Sequence, residues 1–176
     1  MAMRSMIVLV DPDGAVCGDA GKLEAHAGPG RLHLAFSVFL YRGDGELLLQ
    51  RRAASKYHFP MFWANACCSH PGPGEELVAA AEHRVLEELG IRARLRDVGT
   101  FTYRATCPAS GLVEHEFDHV LIGYTDEVPQ PDPDEVDSTA WHRADEVRAG
   151  LPRGEHAPWL GPAMEIAEAA RIADGR

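Results

Sequence analysis

Three histidines and two glutamates, far apart in the chain, are the residues best suited to chemistry. His26 and His33 flank Gly28-Pro29-Gly30, His70 closes the run from Trp63 through Cys67-Cys68-Ser69, and Glu114 and Glu116 bracket His115 inside an apolar stretch. Imidazoles mixed with carboxylates form a ligand set for a borderline or hard divalent ion, and the oxygen donors draw it from zinc toward manganese or magnesium. Cys68 stands two residues before His70, and Glu116 is itself a carboxylate able to exchange a proton. Acid–base chemistry beside a metal is the pattern, and it is that of an enzyme.

The carboxylates must be positioned by a strand. In an extended segment around Val113–Val120, Glu114 and Glu116 point the same way, about 7 Å apart, and can converge on one cation. Two like charges so close are costly without a cation or a shared proton. Glu-x-Glu alone would equally suit a solvated strand face; the three histidines change that balance. His115 and His119 point to the opposite face. With His58, His83, His142 and His156 they read as surface or structural residues. Cys67 reads as a buried apolar residue, Trp63 and Trp141 as core, and nothing in the sequence argues a function for Cys17 or Cys107.

Ile7–Val10 reads as a short strand ended by an Asp-Pro-Asp-Gly turn. Residues 18–31 are loop-like. Leu32–Tyr41 and Glu46–Arg52 are apolar runs around Gly43-Asp44-Gly45, a β-hairpin signal, and 53–74 reads as a structured loop. Glu75–Leu89 is the clearest helix: Leu77, Ala81, Val85 and Leu89 recur on one face, and Gly90 is placed to end it in the left-handed conformation. Val98–Arg104, Leu112–Tyr124 and Glu135–Trp141 read as strands, Thr125–Asp137 as an acidic, proline-rich connection, and Ala163–Ile172 as a closing helix. Without strict βαβ alternation, the fold class is α+β with a mixed sheet.

At 176 residues with 45% hydrophobic and 25% charged residues, one folded domain over 1–176 is expected. A net charge of −10 argues against nucleic-acid or anionic-membrane partners, which need a basic surface. It leaves room for a phosphorylated small molecule, because local cations act within a Debye length of roughly 8–10 Å. The four cysteines show no framework spacing, so reduced thiols and a cytoplasmic setting are expected. The N-terminal apolar run is too short for a signal peptide or membrane span. The sequence sets no oligomeric state.

The acidic helix from Glu75 to Ile91 resembles the Nudix box, in which helix carboxylates hold magnesium against a diphosphate. It departs at two places: Ser69 replaces the first glycine, and His83-Arg84 replaces the Arg-Glu pair whose glutamate serves hydrolysis. Across residues 7–159 the chain resembles a Nudix offshoot, the type 1 isopentenyl-diphosphate isomerases. The matching pieces are His26, Arg31–Ser37, Arg51–Lys56, Asn65–Pro71, Glu87–Gly90, Tyr103–Ala105, Gly111–Glu116 and Pro158-Trp159.

The resemblance implies a Nudix-like mixed sheet flanked by helices and the isomerisation of isopentenyl to dimethylallyl diphosphate through a tertiary carbocation. It also implies roles. His26, His33, His70, Glu114 and Glu116 would ligate a divalent metal (Mn2+, Mg2+ or Zn2+), and Glu88 would hold an Mg2+ bridging to the diphosphate. Lys22, Arg52, Lys56 and Arg84 would contact the phosphates. Cys68 and Glu116 would exchange protons with the substrate, Tyr103 would sit against Glu116, and Trp159 would face the hydrocarbon. Two rival functions share parts of this set. A Nudix pyrophosphohydrolase would use the same helix but needs neither Cys68 nor the histidines. A metal-stabilised binding module would need no phosphate clamp.

Overall fold

A computed structural model describes residues 6–176, so Met1–Ser5 of the expected domain lie outside the described residues. Its centre is a parallel pair. Strand β3 (His33–Tyr41) runs beside β8 (Val113–Tyr124) in continuous register from His33↔Glu116 to Tyr41↔Tyr124. Parallel neighbours need a long crossover, and here it contains helix α2 (Leu77–Leu89) and strand β7 (Arg96–Thr106), which pairs antiparallel with the far edge of β8.

Three strands share the other edge of β3 in succession. Leu9 of β1 (Met6–Val10) meets His33, β6 (Cys67–Ser69) pairs with Phe36–Val38, and Leu47 of β4 (Leu47–Arg52) meets Tyr41. The expected turn at 43–45 forms, with Arg42 N–H donating to Glu46 and Gly45 N–H to Arg42. The hairpin stops there, because β6 has taken the neighbouring edge of β3. Strand β4 instead pairs with β5 (Trp63–Asn65) and β9 (Val136–His142).

Alternation along the central strands sorts side chains to two layers. Phe36, Val38, Leu40 and Leu121 pack on Ala81, Val85 and Leu89 of α2. Phe39, Tyr41, Val120 and Ile122 pack on Leu160, Ala163, Met164 and Ala167 of α4 (Leu160–Ala173). The architecture is the α+β, Nudix-like mixed sheet between helices that was expected. Helix α2 starts at Leu77 rather than Glu75 because Glu76 is its N-cap, its carboxylate accepting from Val78 N–H and Ala79 N–H. Gly90 ends it at φ 68, as the sequence predicts.

The regions read as loop contain short elements. Residues 18–31 hold most of β2 (Val16–Gly21) and all of α1 (Lys22–His26), and 53–74 holds β5 and β6. Helix α3 (Ala144–Gly150) was also unforeseen. Elements of three to seven residues are too short to show a period. Among the described residues, no helix is long and apolar enough to cross a membrane.

Candidate active site

The five residues expected to ligate metal come from four separate places and meet. His26 ends α1, His33 opens β3, His70 follows β6, and Glu114 and Glu116 lie on β8. All five are buried, and one ligand atom from each lies within 4.8 Å of every other. Gly30 brings the first two to the third element. At φ +72, a Cβ there would stand 2.6 Å from Val113, so only glycine lets the α1–β3 connection lie this close to β8.

The hydrogen bonds fix which nitrogens are free. His26 Nδ1 donates to the Lys22 carbonyl at 2.6 Å, and His33 Nδ1 donates to the Arg31 carbonyl at 2.7 Å. In its neutral form His26 would turn a lone pair on Nε2 toward Glu114 Oε2, 3.0 Å away. With no ion there a proton takes that place: burial pushes His26 down, but the Glu114 contact outweighs it and holds the imidazole above its ordinary value. His33 Nε2 likewise faces His70 Nε2 at 3.2 Å and Glu116 Oε1 at 3.6 Å, and His70 Nε2 is 2.8 Å from the same oxygen. Lone pairs and carboxylates facing one another repel unless a proton or a cation lies between them. This donor set fits a divalent ion, with backbone carbonyls orienting two imidazoles from behind, as metal histidines usually are.

Electrostatics agree. Burial pushes Glu114 up, but hydrogen bonds from His26 and His58 outweigh it and hold the carboxyl well below its usual range. Burial and the Glu114 charge push Glu116 up, yet the His33 and His70 bonds leave it lowered. Burial drives His70 down to about 3, so it stays neutral and able to ligate.

Beside the cluster opens a pocket lined by Lys22, Arg52, Lys56, Arg84, Cys68, Tyr103 and Trp159 together with Glu114 and Glu116. Tyr103 donates to Glu116 Oε2 at 2.5 Å. The Cys68 thiol donates to Asn65 Oδ1 at 2.9 Å, and Trp159 Nε1 lies 3.1 Å from both Sγ and Oδ1. Asn65 is held in turn, because its Nδ2 donates to the Val38 and Cys67 carbonyls, each at 3.0 Å. Burial, then the Asp118 carboxyl, pushes the Cys68 thiol up to about 12. Cys68 therefore keeps its proton at neutral pH. Cys67 points the other way, fully buried against α2.

The NUDIX domain family matches residues 31–165. A Nocardia farcinica protein named isopentenyl-diphosphate Delta-isomerase is 52% identical over 166 residues, covering 93% of this chain and 95% of its own. A protein of the same name from Streptomyces griseus is 48% identical over 169 residues, covering 96% and 84%. This chain belongs to the isopentenyl-diphosphate Delta-isomerase family. Among solved structures, a Deinococcus radiodurans protein shares the fold at a TM-score of 0.72 and 21% identity, covering 93% of this chain and 98% of that one. The MutT protein of Methanosarcina mazei does so at 0.65 and 18%, covering 81% and 95%.

In this family member the basic residues are not idle. Lys56 pairs closely with Glu135, and Arg84 with Glu88. Arg84 also reaches Glu87 at 3.0 Å and Glu135 at 3.5 Å. Arg52 donates to the His58 and Phe59 carbonyls at 3.0 and 3.2 Å, with its guanidinium 5.6 Å from the Trp159 ring. It therefore braces the 53–62 loop, a duty its place in the sequence does not announce. Glu88 is buried outside the five-residue cluster, accepting from Gln50 at 3.1 Å and from Arg84. Arg84 thus replaces the box glutamate and also neutralises a neighbouring carboxylate.

Sequence reasoning missed His58. It is buried, not a surface residue, and it lines the pocket with Nδ1 2.9 Å from Glu114 Oε1. Its position two residues after Lys56, in a segment already supplying phosphate candidates, was the available signal. Ser37 and Asp118 were missed as well: Ser37 Oγ donates to Asp118 Oδ2 at 2.7 Å and lies 3.8 Å from Cys68 Sγ.

Proposed function

We propose that this enzyme moves the double bond of isopentenyl diphosphate to give dimethylallyl diphosphate, with Cys68 and Glu116 as its proton-exchanging groups. The observation that carries the reading is their placement. Both line one pocket, together with four basic residues and an indole. The reaction adds a proton to the terminal alkene carbon and removes one from the carbon on the far side of the tertiary centre. It therefore needs a group that holds a proton and a group that takes one.

Each residue then has a task. Asn65 and Trp159 aim the Cys68 thiol, and Tyr103 holds Oε2 of Glu116. The Trp159 ring offers a π face to the cation, an interaction worth about 2 kcal/mol or more when desolvated. Lys22, Arg52, Lys56 and Arg84 grip the diphosphate, so that binding energy far from the reacting carbons positions them. For Lys56 and Arg84 this means exchanging Glu135 for phosphate oxygens.

His26, His33, His70, Glu114 and Glu116 would hold one divalent ion, manganese, magnesium or zinc. Glu88 would hold a magnesium shared with the substrate phosphates, as magnesium sites commonly are. When bound, such ions supply positive charge against the buried carboxylates and the diphosphate. A reduced Cys68 is required, and the cytoplasm is the compartment we assign, with the whole chain acting as one domain. Arg84 disfavours hydrolysis, because it stands where the Nudix box carries the glutamate that serves the hydrolytic metals. Incubating metal-loaded protein with isopentenyl diphosphate and following products by NMR tests the reading. Dimethylallyl diphosphate is expected; release of phosphate or pyrophosphate without isomer would contradict it.

A further inference from the structure

Glu114 is gripped on both sides. Its Oε2 lies 3.0 Å from His26 Nε2, among the ligand atoms, while its Oε1 lies 2.9 Å from His58 Nδ1. His58 is outside the ligand cluster. A carboxylate oxygen at that distance requires the proton of His58 on Nδ1, so His58 is a donor to Glu114 and not a competing ligand. Its other nitrogen, Nε2, is buried and has no hydrogen-bond partner among the described residues.

The chain takes trouble to put this ring in place. His58 stacks on His26 with centroids 5.1 Å apart at 21°, and Tyr57 meets it edge-on at 4.0 Å. The loop carrying it passes through the left-handed region at two ordinary residues, Phe59 at φ 46 and Met61 at φ 65. Such strain persists only where surroundings over-determine the backbone. Here Arg52 donates to the carbonyls of His58 and Phe59, and the Phe59 N–H donates to Cys107 Sγ at 3.1 Å.

We propose that His58 is a positioning residue of the metal centre: by holding Oε1 of Glu114 it commits Oε2 to the ion and makes this carboxylate a one-oxygen ligand. The inference rests on the metal assignment made above and extends it by one residue. Groups behind metal ligands typically contribute 10–100-fold to affinity. His58 would do so from the wall of the substrate pocket, linking the ion to the loop that also carries Lys56.

The test measures Mn2+ affinity of the chelator-stripped full chain, without substrate, by equilibrium dialysis or electron paramagnetic resonance. His58→Phe keeps a ring against His26 but loses the N–H, and it should bind Mn2+ about 10–100-fold more weakly than the wild type. His58→Asn restores an N–H donor near the Nδ1 position and should recover most of that loss, which packing alone would not do. Wild-type affinity in His58→Phe, or no recovery in His58→Asn, overturns the inference. Should His58→Phe fail to fold, His58→Met fills the space without a donor and is judged by the same criterion. His26→Ala is the control for the underlying assignment. If it binds Mn2+ as the wild type does, the cluster is not the metal site and both readings fall; if only the His58 variants behave as wild type, this inference alone falls.

Discussion

One face of the β3–β8 pair holds two different interiors. Toward the strands' C-terminal ends, Phe39, Val120 and Ile122 close on Leu160, Ala163 and Met164 of α4. Toward the N-terminal ends the same face carries His33, Ser37, Glu114, Glu116 and Asp118, equally buried. The register runs unbroken through both, so the backbone is shared and only side-chain chemistry differs. At the apolar end burial itself stabilises, by about 25 cal/mol per Å2. At the polar end every buried group must find a partner or carry a desolvation cost. Glu114, Glu116 and Asp118 lie in sequence along that end, and burial together with the Glu116 charge pushes the Asp118 carboxyl well up. One end therefore holds the fold and the other holds reactive groups at the fold's expense. Trp159 joins them, since it caps α4 and points its N–H at Cys68.

If that division is right, substitutions at the two ends should fail in different measurements. The largest effect is expected at the thiol. Cys68→Ala should lower turnover by ~10²–10⁴-fold, about 3–5 kcal/mol of barrier, with the unfolding midpoint almost unmoved. Cys67→Ala, one residue away but packed on α2, should keep turnover and lose about 1 kcal/mol of stability. Initial rates and calorimetry on both variants check this, and a reversed pattern would move the thiol assignment by one residue. At the apolar end Met164→Ala should cost about 2–5 kcal/mol in urea denaturation, with the turnover of the folded fraction unchanged. Lost turnover at preserved stability would contradict the division.

Two buried glutamates, Glu116 at the polar end and Glu88 on α2, should also separate. Glu116→Gln should impair metal retention and chemistry together, because one carboxylate serves both. Glu88→Gln should retain the first metal and bind the diphosphate more weakly. Elemental analysis with substrate titration distinguishes them; loss of the first metal from Glu88→Gln, with normal retention in Glu116→Gln, would reverse the two-site assignment.

The smallest effect is a pH dependence. Burial, then the Lys56 charge, pushes the Lys22 ammonium down to about 8. As pH rises through 8 the free enzyme loses that charge, so KM for the diphosphate should climb while kcat changes little. The sign for stability is opposite. Between pH 8 and Lys22's unfolded value of roughly 10.4, the unfolded chain binds more protons, so this group's contribution favours folding as pH rises. Lys22→Arg should flatten the KM profile; an unchanged break would show that another group titrates.

Much of this was legible in the sequence. The i, i+4 pattern of Leu77, Ala81, Val85 and Leu89 gave the helix, because a period needs several turns to show. Glu114 and Glu116 were placed on one face by the two-residue repeat of a strand, and the resemblance joined them to His26, His33 and His70. Less visible were features that only tertiary packing creates. The three-residue strand β6 exists because β3 leaves an edge open, and β5 because β4 does, not because Trp63–Asn65 or Cys67–Ser69 prefers extension. His58 gave no periodic signal, since a strained loop sets its position. Nor could composition show that Arg52 spends Nε and one terminal nitrogen on loop carbonyls.

The central claim is that Cys68 and Glu116 exchange protons with a five-carbon alkenyl diphosphate across one pocket. Incubation of wild type and Cys68→Ala with isopentenyl diphosphate in deuterium oxide, with products read by NMR and mass spectrometry, tests it most directly. The wild type should yield dimethylallyl diphosphate carrying solvent deuterium, and Cys68→Ala should yield at most a trace. Isomer formed at equal rate by Cys68→Ala, or isomer free of deuterium, would contradict it.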